Sequence, residues 1–291
     1  MKTLKYFLYT FAILTFFITA LPAHAFGISP AKSFFTVDPN SSQTIVLKIT
    51  NSESNNLTFK LNVLGMVQDE NGKPIFTRGV DAAESWVYPE NNLINIKSGE
   101  TKSVNFIIKI PKDGVSGSYY LGLAVEPVLQ KNSPASLNTR LVSLLTLEVK
   151  GSVQESLIVE KLEPLSGITD QKDWKFNLNL KNNGTIEVLM QGKIAIRNWQ
   201  GEDIFSEPII LGNKLLAGSK RVLHPEINLK NNFYLPGLYS AQLKINYGRT
   251  NQTVSAIAYV WYFPMWSKIA LALAVLLVGF LIFRKMKKVK R

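Results

Sequence analysis

The chain has 291 residues, no cysteine and a formal net charge of +12. The charge is topogenic rather than functional: Lys2, Lys5, Lys268 and six cations in the last eight residues account for nine positives and leave about +3 elsewhere. No Lys/Arg cluster marks a phosphate-binding face, which excludes nucleic acid as a partner, and the missing cysteines fit a bacterial envelope protein whose domains stand on hydrophobic cores alone.

Residues 1-25 read as a secretory signal peptide. Lys2 and Lys5 precede an apolar run from Tyr6 to Leu21, broken only by Thr10, Thr15 and Thr19, and Leu21-Pro22-Ala23-His24-Ala25 ends in small residues spaced for cleavage. The mature chain is expected to start at Phe26.

Residues 26-150 alternate with the period of strands. Ile45, Leu47 and Ile49 share one face, as do Leu57, Phe59, Leu61 and Val63, and later Val104, Phe106, Ile108 and Ile110. Between them, Asn71-Gly72 predicts a hairpin joining Met66-Val67 to Pro74-Ile75-Phe76, and Asp81 to Glu90 predicts one short helical turn before Pro89. Leu93 to Ile96, Tyr119 to Glu126 and Leu141 to Val149 bring the count to about seven strands, which a β-sandwich requires.

Lys150 to Glu155 mark a boundary, and residues 151-262 carry a second set of strands. The two sets repeat each other. Ile45-x-Leu47-x-Ile49-Thr50-Asn51 corresponds to Phe176-x-Leu178-x-Leu180-Lys181-Asn182, and Gly117-Ser118-Tyr119 corresponds to Gly237-Leu238-Tyr239. A glycine that turns the chain into a strand, followed by a tyrosine whose hydroxyl reaches back to loop backbone, is the pattern of a tyrosine corner. The fold class expected is therefore mostly β: two tandem immunoglobulin-like β-sandwiches with a C-terminal single transmembrane helix.

That helix lies within 263-283. Ile269 to Phe283 has no polar side chain, an aromatic belt of Trp261, Tyr262, Phe263 and Trp266 precedes it, and the basic tail 284-291 follows. The pattern predicts a single-pass type I protein of the cell membrane, with both sandwiches outside, the C-terminus in the cytoplasm, and membrane lipid contacted through residues 263-283.

Catalytic chemistry finds no support. His224 is the only histidine past the signal segment, the carboxylates are scattered over turns and strand ends, and Asp69-Glu70-Asn71-Gly72 has too few ligands for a calcium loop. No enzyme activity, metal or cofactor is expected. Binding through loops and sheet edges leaves no compact motif, so the candidate ligand-binding residues are the aromatics in irregular stretches: Trp86 and Tyr88 within 66 to 92, and Trp199 and Phe205 within 197 to 214, with loop 127 to 140 as a further candidate region. For Trp86 and Tyr88, plugging a sandwich end is favoured over ligand contact, while edge packing explains Trp199 and Phe205 as well as ligand contact does.

Gly27-Ile28-Ser29-Pro30-Ala31-Lys32, the Thr36-Val37-Asp38-Pro39 turn, Ser98-Gly99-Glu100 and Ile110-Pro111-x-Asp113-Gly114-x-x-Gly117-x-Tyr119-Tyr120 resemble the N-terminal domain of the WxL-interacting protein family of Gram-positive cell-surface proteins. The order of signal peptide, two sandwiches, membrane helix and basic tail is similar to that family's as well. The resemblance implies that the first domain binds peptidoglycan and the second a surface protein carrying WxL domains, or a host ligand, within a cell-wall complex. It covers 27 to 126 in motif and the remainder in layout. The alternative is a structural stalk or accessory subunit of an envelope complex with no ligand of its own.

Overall fold

The computed structural model describes residues 26-128, 139-229 and 234-289. The signal segment and most of loop 127 to 140 lie outside the described residues.

The first sandwich is built from β1 (Phe26–Ser29), β2 (Lys32–Val37), β3 (Ser42–Asn51), β4 (Leu57–Gln68), β5 (Pro74–Thr77), β6 (Val87–Pro89), β7 (Leu93–Ile96), β8 (Thr101–Lys109), β9 (Gly117–Pro127) and β10 (Leu141–Val149). One sheet has the order β1-β3-β8-β6 and the other β2-β10-β9-β4-β5, with β7 also on β4. Ten strand segments replace the seven expected because edge strands are broken. The chain changes sheet between β1 and β2, at the cis Ser29-Pro30 bond, and the excursion from 66 to 96 adds the short strand β6 between the expected Pro74 and Leu93 strands. Inward positions alternate as read: Leu47, Ile49, Phe59, Phe106, Ile108, Leu121 and Leu123 are fully buried, each worth about 1.5–3 kcal/mol against exposure.

The second sandwich repeats the plan with β11 (Leu157–Pro164), β12 (Ile168–Thr169), β13 (Asp173–Asn182), β14 (Met190–Arg197), β15 (Asp203–Ile209), β16 (Lys220–Leu223), β17 (Glu226–Asn228), β18 (Gly237–Tyr247) and β19 (Gln252–Tyr262). Its sheets run β11-β13-β16, with β17 also on β13, and β12-β19-β18-β14-β15. In both sandwiches a short strand lies parallel to the last one, β2 on β10 and β12 on β19. Ahead of β14, Val188 forms an isolated antiparallel bridge with Leu215.

The repeat extends to single side chains. Asn51 and Asn182 are fully buried at the ends of β3 and β13. Asn51 Nδ2 donates to Ile96 O and Asn55 O at 3.0 and 2.9 Å, and Asn182 Nδ2 donates to Leu215 O and Ile186 O at 3.0 and 2.8 Å. Each backbone also brackets a glycine turn: Gly99 N donates to Asn51 O at 2.8 Å, and Gly218 N donates to Asn182 O at 3.0 Å. Buried carbonyls outside the ladders need such donors, so the two asparagines close equivalent loop ends. Both tyrosine corners form. Tyr119 and Tyr239 hydroxyls each donate to a carbonyl four residues back, Val115 O and Leu235 O, at 2.7 Å.

After β19, Phe263 and Pro264 lead straight into α1 (Met265–Val289), and Met265–Lys285 is long and apolar enough to cross a membrane. One expected member of the aromatic belt is core instead. Tyr262 is buried, packed on Trp174 and Tyr239 at ring-centroid distances of 6.2 and 6.1 Å, because inward and outward positions alternate along β19. Trp261, Phe263 and Trp266 do face outwards.

Candidate binding surfaces

The excursion of the first sandwich serves two purposes. Residues Ala82–Trp86 form a single 3-10 turn capped by Asp81, whose side chain accepts from Ala83 N at 2.8 Å. Glu84 closes the capping box and takes backbone bonds from Gly79, Val80 and Asp81. Burial raises the Asp81 carboxyl above its ordinary range. Burial also works against Glu84 ionisation, but the backbone hydrogen bonds from Gly79, Asp81, Val80 and Gly65 outweigh that and hold it low. The turn places Trp86 edge-on to Tyr119 at 4.6 Å, partly buried against the core. Trp86 therefore plugs the sandwich end. Tyr88, two residues on in β6, is 43% exposed and faces solvent. The structure thus separates these two aromatics rather than pairing them.

Beside Tyr88, the β6 edge and β7 leave a groove of about 320 Å³ between the two sheets, lined by Glu90, Asn91, Leu93, Asn95, Ser103 and Asn105 among others. Its amides are partly committed: Asn105 Nδ2 donates to Glu90 Oε2 at 2.9 Å, and Asn95 Nδ2 donates to Thr58 Oγ1 at 3.2 Å. Leu93 stands exposed on its rim. A polar trough of amides and carboxylate flanked by Leu93, Ile94 and Val104 is chemically suited to a sugar or a peptide.

The other end of the excursion joins the domains. The Asp69-Gly72 turn lies over Arg221 of β16, which is 2% exposed. Arg221 donates to the carbonyls of Leu211, Asn213 and Lys214 at 3.0, 2.7 and 3.3 Å, and Gln68 Oε1 lies 3.5 Å from its Nη2. Burial lowers the pKa of this guanidinium. Gly72, at φ +83°, is required: a Cβ would come 2.5 Å from Nη2 of Arg221. Around it, Val222 N donates to Glu70 O at 2.9 Å, Leu216 N to Gln68 Oε1 at 3.1 Å and Ser118 N to Thr185 O at 2.9 Å. Arg249 reaches Glu148 through both terminal nitrogens, at 2.8 and 2.5 Å, and Glu155 accepts from Thr250 N at 3.1 Å. The two sandwiches are thus bonded at several points of their joint through Glu70, Gln68, Ser118 and Glu148, with a recess of about 280 Å³ between Asp81, Tyr120 and Ala217.

In the second sandwich, β15 is an edge strand, as the 197 to 214 region suggested. Phe205 turns inward and packs against the core. Trp199, in the β14-β15 turn, is 58% exposed and lies over Gly237, where a Cβ would come 2.7 Å from its Cδ1. The structure keeps Trp199 and Phe205 apart, as it does the first pair. His224 is no more than a surface hydrogen-bonding residue, its Nδ1 2.9 Å from Asn177 Oδ1. Among the described residues no group of three or more His, Cys, Asp or Glu could hold a metal. Arg221 was not legible as a joint residue. Its only sequence signal is a lone arginine inside the apolar strand Lys220-Arg221-Val222-Leu223.

No family model matches the chain, and no curated protein matches it. Solved structures do. A class 5 fimbriae chaperone is 10% identical, with 83% of this chain and 100% of that one covered at a TM-score of 0.46. A Pseudomonas aeruginosa chaperone is 7% identical over 79% of this chain and 98% of that one, at 0.34. A PapD-like domain of a human protein is 19% identical over 46% of this chain and 91% of that one, at 0.34. At these identities and scores the likeness carries over no partner and no residue.

Proposed function

We propose that the chain is a membrane-anchored extracellular binding and scaffold protein of the bacterial cell envelope. The observation that carries this reading is the series arrangement: two sandwiches bonded along their joint, the second running without a linker into a helix apolar enough to span a bilayer. Such a stack holds a binding face at a fixed height above the membrane. In this reading the signal segment exports both sandwiches and the basic tail stays in the cytoplasm. The first sandwich binds peptidoglycan in the groove beside Tyr88, where amides meet a glycan or stem peptide and the phenol ring stacks on a sugar. The second engages a surface protein of the WxL type along the β15 edge, next to a recess of about 500 Å³ formed by Pro208 to Asn213 and β14.

The rigidity of the joint equally favours the stalk reading, in which the domains only set distance. A pull-down with purified cell wall separates the two. Full-length protein in detergent is expected to be retained, Tyr88→Ala to lose most of the retained fraction at unchanged thermal stability, and Trp86→Ala to lose stability first. Wild-type protein that folds but is never retained by wall leaves the stalk as the account.

A further inference from the structure

The end of the second sandwich nearest α1 carries more exposed apolar surface than a solvated loop end requires. Leu165 and Ile168, on either side of the β11-β12 turn, are 56% and 69% exposed. Trp199, Leu235, Trp261 and Phe263 are exposed as well, and Trp261 and Phe263 stack at 5.9 Å. These residues come from four separate segments, yet hydrogen bonds and register bring them to one level. Trp261 N donates to Gly167 O and Phe263 N to Thr169 O, both at 2.8 Å, while Trp199 lies over Gly237, the register partner of Tyr262. Counted back from Met265 at about 3.3 Å per residue, the level of Tyr262 is at most about 10 Å from the start of the helix, the depth of the headgroup layer. Two ties hold it there. Lys268 donates to Asp170 Oδ2 at 2.8 Å, fixing the first helical turn to the loop after β12, and just Phe263 and Pro264 separate β19 from α1. The equivalent end of the first sandwich, the one beside its own corner tyrosine Tyr119, is covered by the second sandwich through Ser118, Tyr120 and the 3-10 turn.

We infer that this end of the second sandwich is seated in the lipid headgroup layer, with Trp199 and Ile168 as insertion points on opposite sides of the helix exit, so that the protein stands on the bilayer by a footprint and not by α1 alone. The inference rests on the membrane-spanning reading of α1. Trp side chains with exposed leucine and isoleucine are the residues that partition into that layer, and the carboxylate of Asp170 at this level is already neutralised by Lys268, which holds it below the usual carboxylate range. A second copy is the other possible occupant.

The chain has no cysteine, so single cysteines can be placed at will. Full-length Trp199→Cys, Ile168→Cys, Ile210→Cys and Leu273→Cys, each carrying an environment-sensitive fluorophore, are reconstituted in phosphatidylcholine nanodiscs containing lipids with nitroxide at shallow or deep positions. Ile210 is an exposed apolar control at the opposite end of the same sandwich, and Ile168→Cys keeps the test valid if Trp199→Cys fails to fold. The expected result is loss of emission at 199 and 168 with the shallow nitroxide, full emission at 210, and loss at 273 with the deep nitroxide. Emission at 199 and 168 as strong as at 210, with 273 quenched, overturns the footprint and leaves the anchor standing. An unquenched 273 overturns the anchor itself. Emission at 199 that shifts with protein density but ignores the nitroxide assigns the surface to a second copy.

Discussion

In the first sandwich β2 accompanies β10 through six register pairs, from Lys32 to Val37, whereas in the second β12 meets β19 only at Ile168 and Thr169. The consequence is local. β10 is a covered strand, but among the described residues no strand pairs with that side of β19 before Trp261, and Ile257 and Tyr259 face solvent there. The same contrast holds for the ends. One corner-tyrosine end is buried against a protein neighbour and the other abuts α1. Two domains with the same buried asparagine, the same glycine-led corner and the same strand order have therefore diverged where their cores impose nothing: in edge coverage and in loop ends.

Experiments can break this equivalence from its strongest member down. Asn51→Ala and Asn182→Ala each strip donors from at least two loop carbonyls, and each is expected to cost about 3 kcal/mol. Thermal unfolding checks the size. If the joint couples the domains, either variant lowers a single transition, and if it does not, Asn51→Ala splits the curve into two.

Gly117→Ala and Gly237→Ala compare the two corner glycines, at φ +151° and +156°. Strain at either site is expected to cost about 1–3 kcal/mol. Their consequences differ, because a Cβ at 117 meets Thr185 O of the other sandwich at 2.7 Å while one at 237 meets Trp199. Gly117→Ala should broaden an interdomain distance measured by paired spin labels, and Gly237→Ala should leave it unchanged.

Acid is expected to act on the joint before the cores. The Arg249 hydrogen bonds hold the Glu148 carboxyl below the ordinary glutamate value of 4.5, and Glu155 is held low despite burial by Thr250 and by the Arg249 and Thr250 N–H groups. Groups with depressed folded values stabilise fully above the ordinary value and lose that contribution as pH falls through the folded one. The interdomain distance should therefore hold at neutral pH and broaden only once the pH falls below the ordinary glutamate range. Asp81 has the opposite sign: its raised value means that protonation relieves a cost. Arg249→Ala removes the partner of Glu148 at every pH and should broaden the distance already at neutral pH, and a wild-type acid profile in this variant would falsify the role given to this cluster.

The smallest effect is expected from the corner hydroxyls. Tyr119→Phe and Tyr239→Phe each remove one bond to a carbonyl, about 1 kcal/mol apiece, read as a shift in the unfolding midpoint. A much larger loss for Tyr239 than for Tyr119 would show that its three-ring cluster with Trp174 and Tyr262 depends on the hydroxyl's position.

Strand alternation, the Asn-Gly hairpin and the short turn before Pro89 were legible because each depends on neighbours within a few residues, and the internal repeat because both copies keep the same local pattern. Tyr262 was misplaced for a related reason: it stands in a run of aromatics before the helix, and only its pairing opposite Gly237 decides that it points inward. The groove beside Tyr88 and the joint around Arg221 could not be read at all. Each is assembled from segments tens of residues apart, with neutral amides and carbonyls that carry no compositional mark. Of the four aromatics chosen from irregular stretches, Tyr88 and Trp199 are exposed and Trp86 and Phe205 are packed, a division set by which face of an edge element each residue occupies.

The exit of β19 into α1 also fixes how the molecule would carry load. The first sandwich is attached at the far end of the second, through Lys150 to Ser156, while the helix leaves from the near end, so tension between the first sandwich and the helix runs lengthwise through the second sandwich. β19 is held to β18 by eleven consecutive register pairs lying across that axis. A pull on the helix would load them together in shear rather than one at a time as in unzipping. Resistance would then be set by the rupture rate of the whole ladder, a kinetic quantity separate from equilibrium stability.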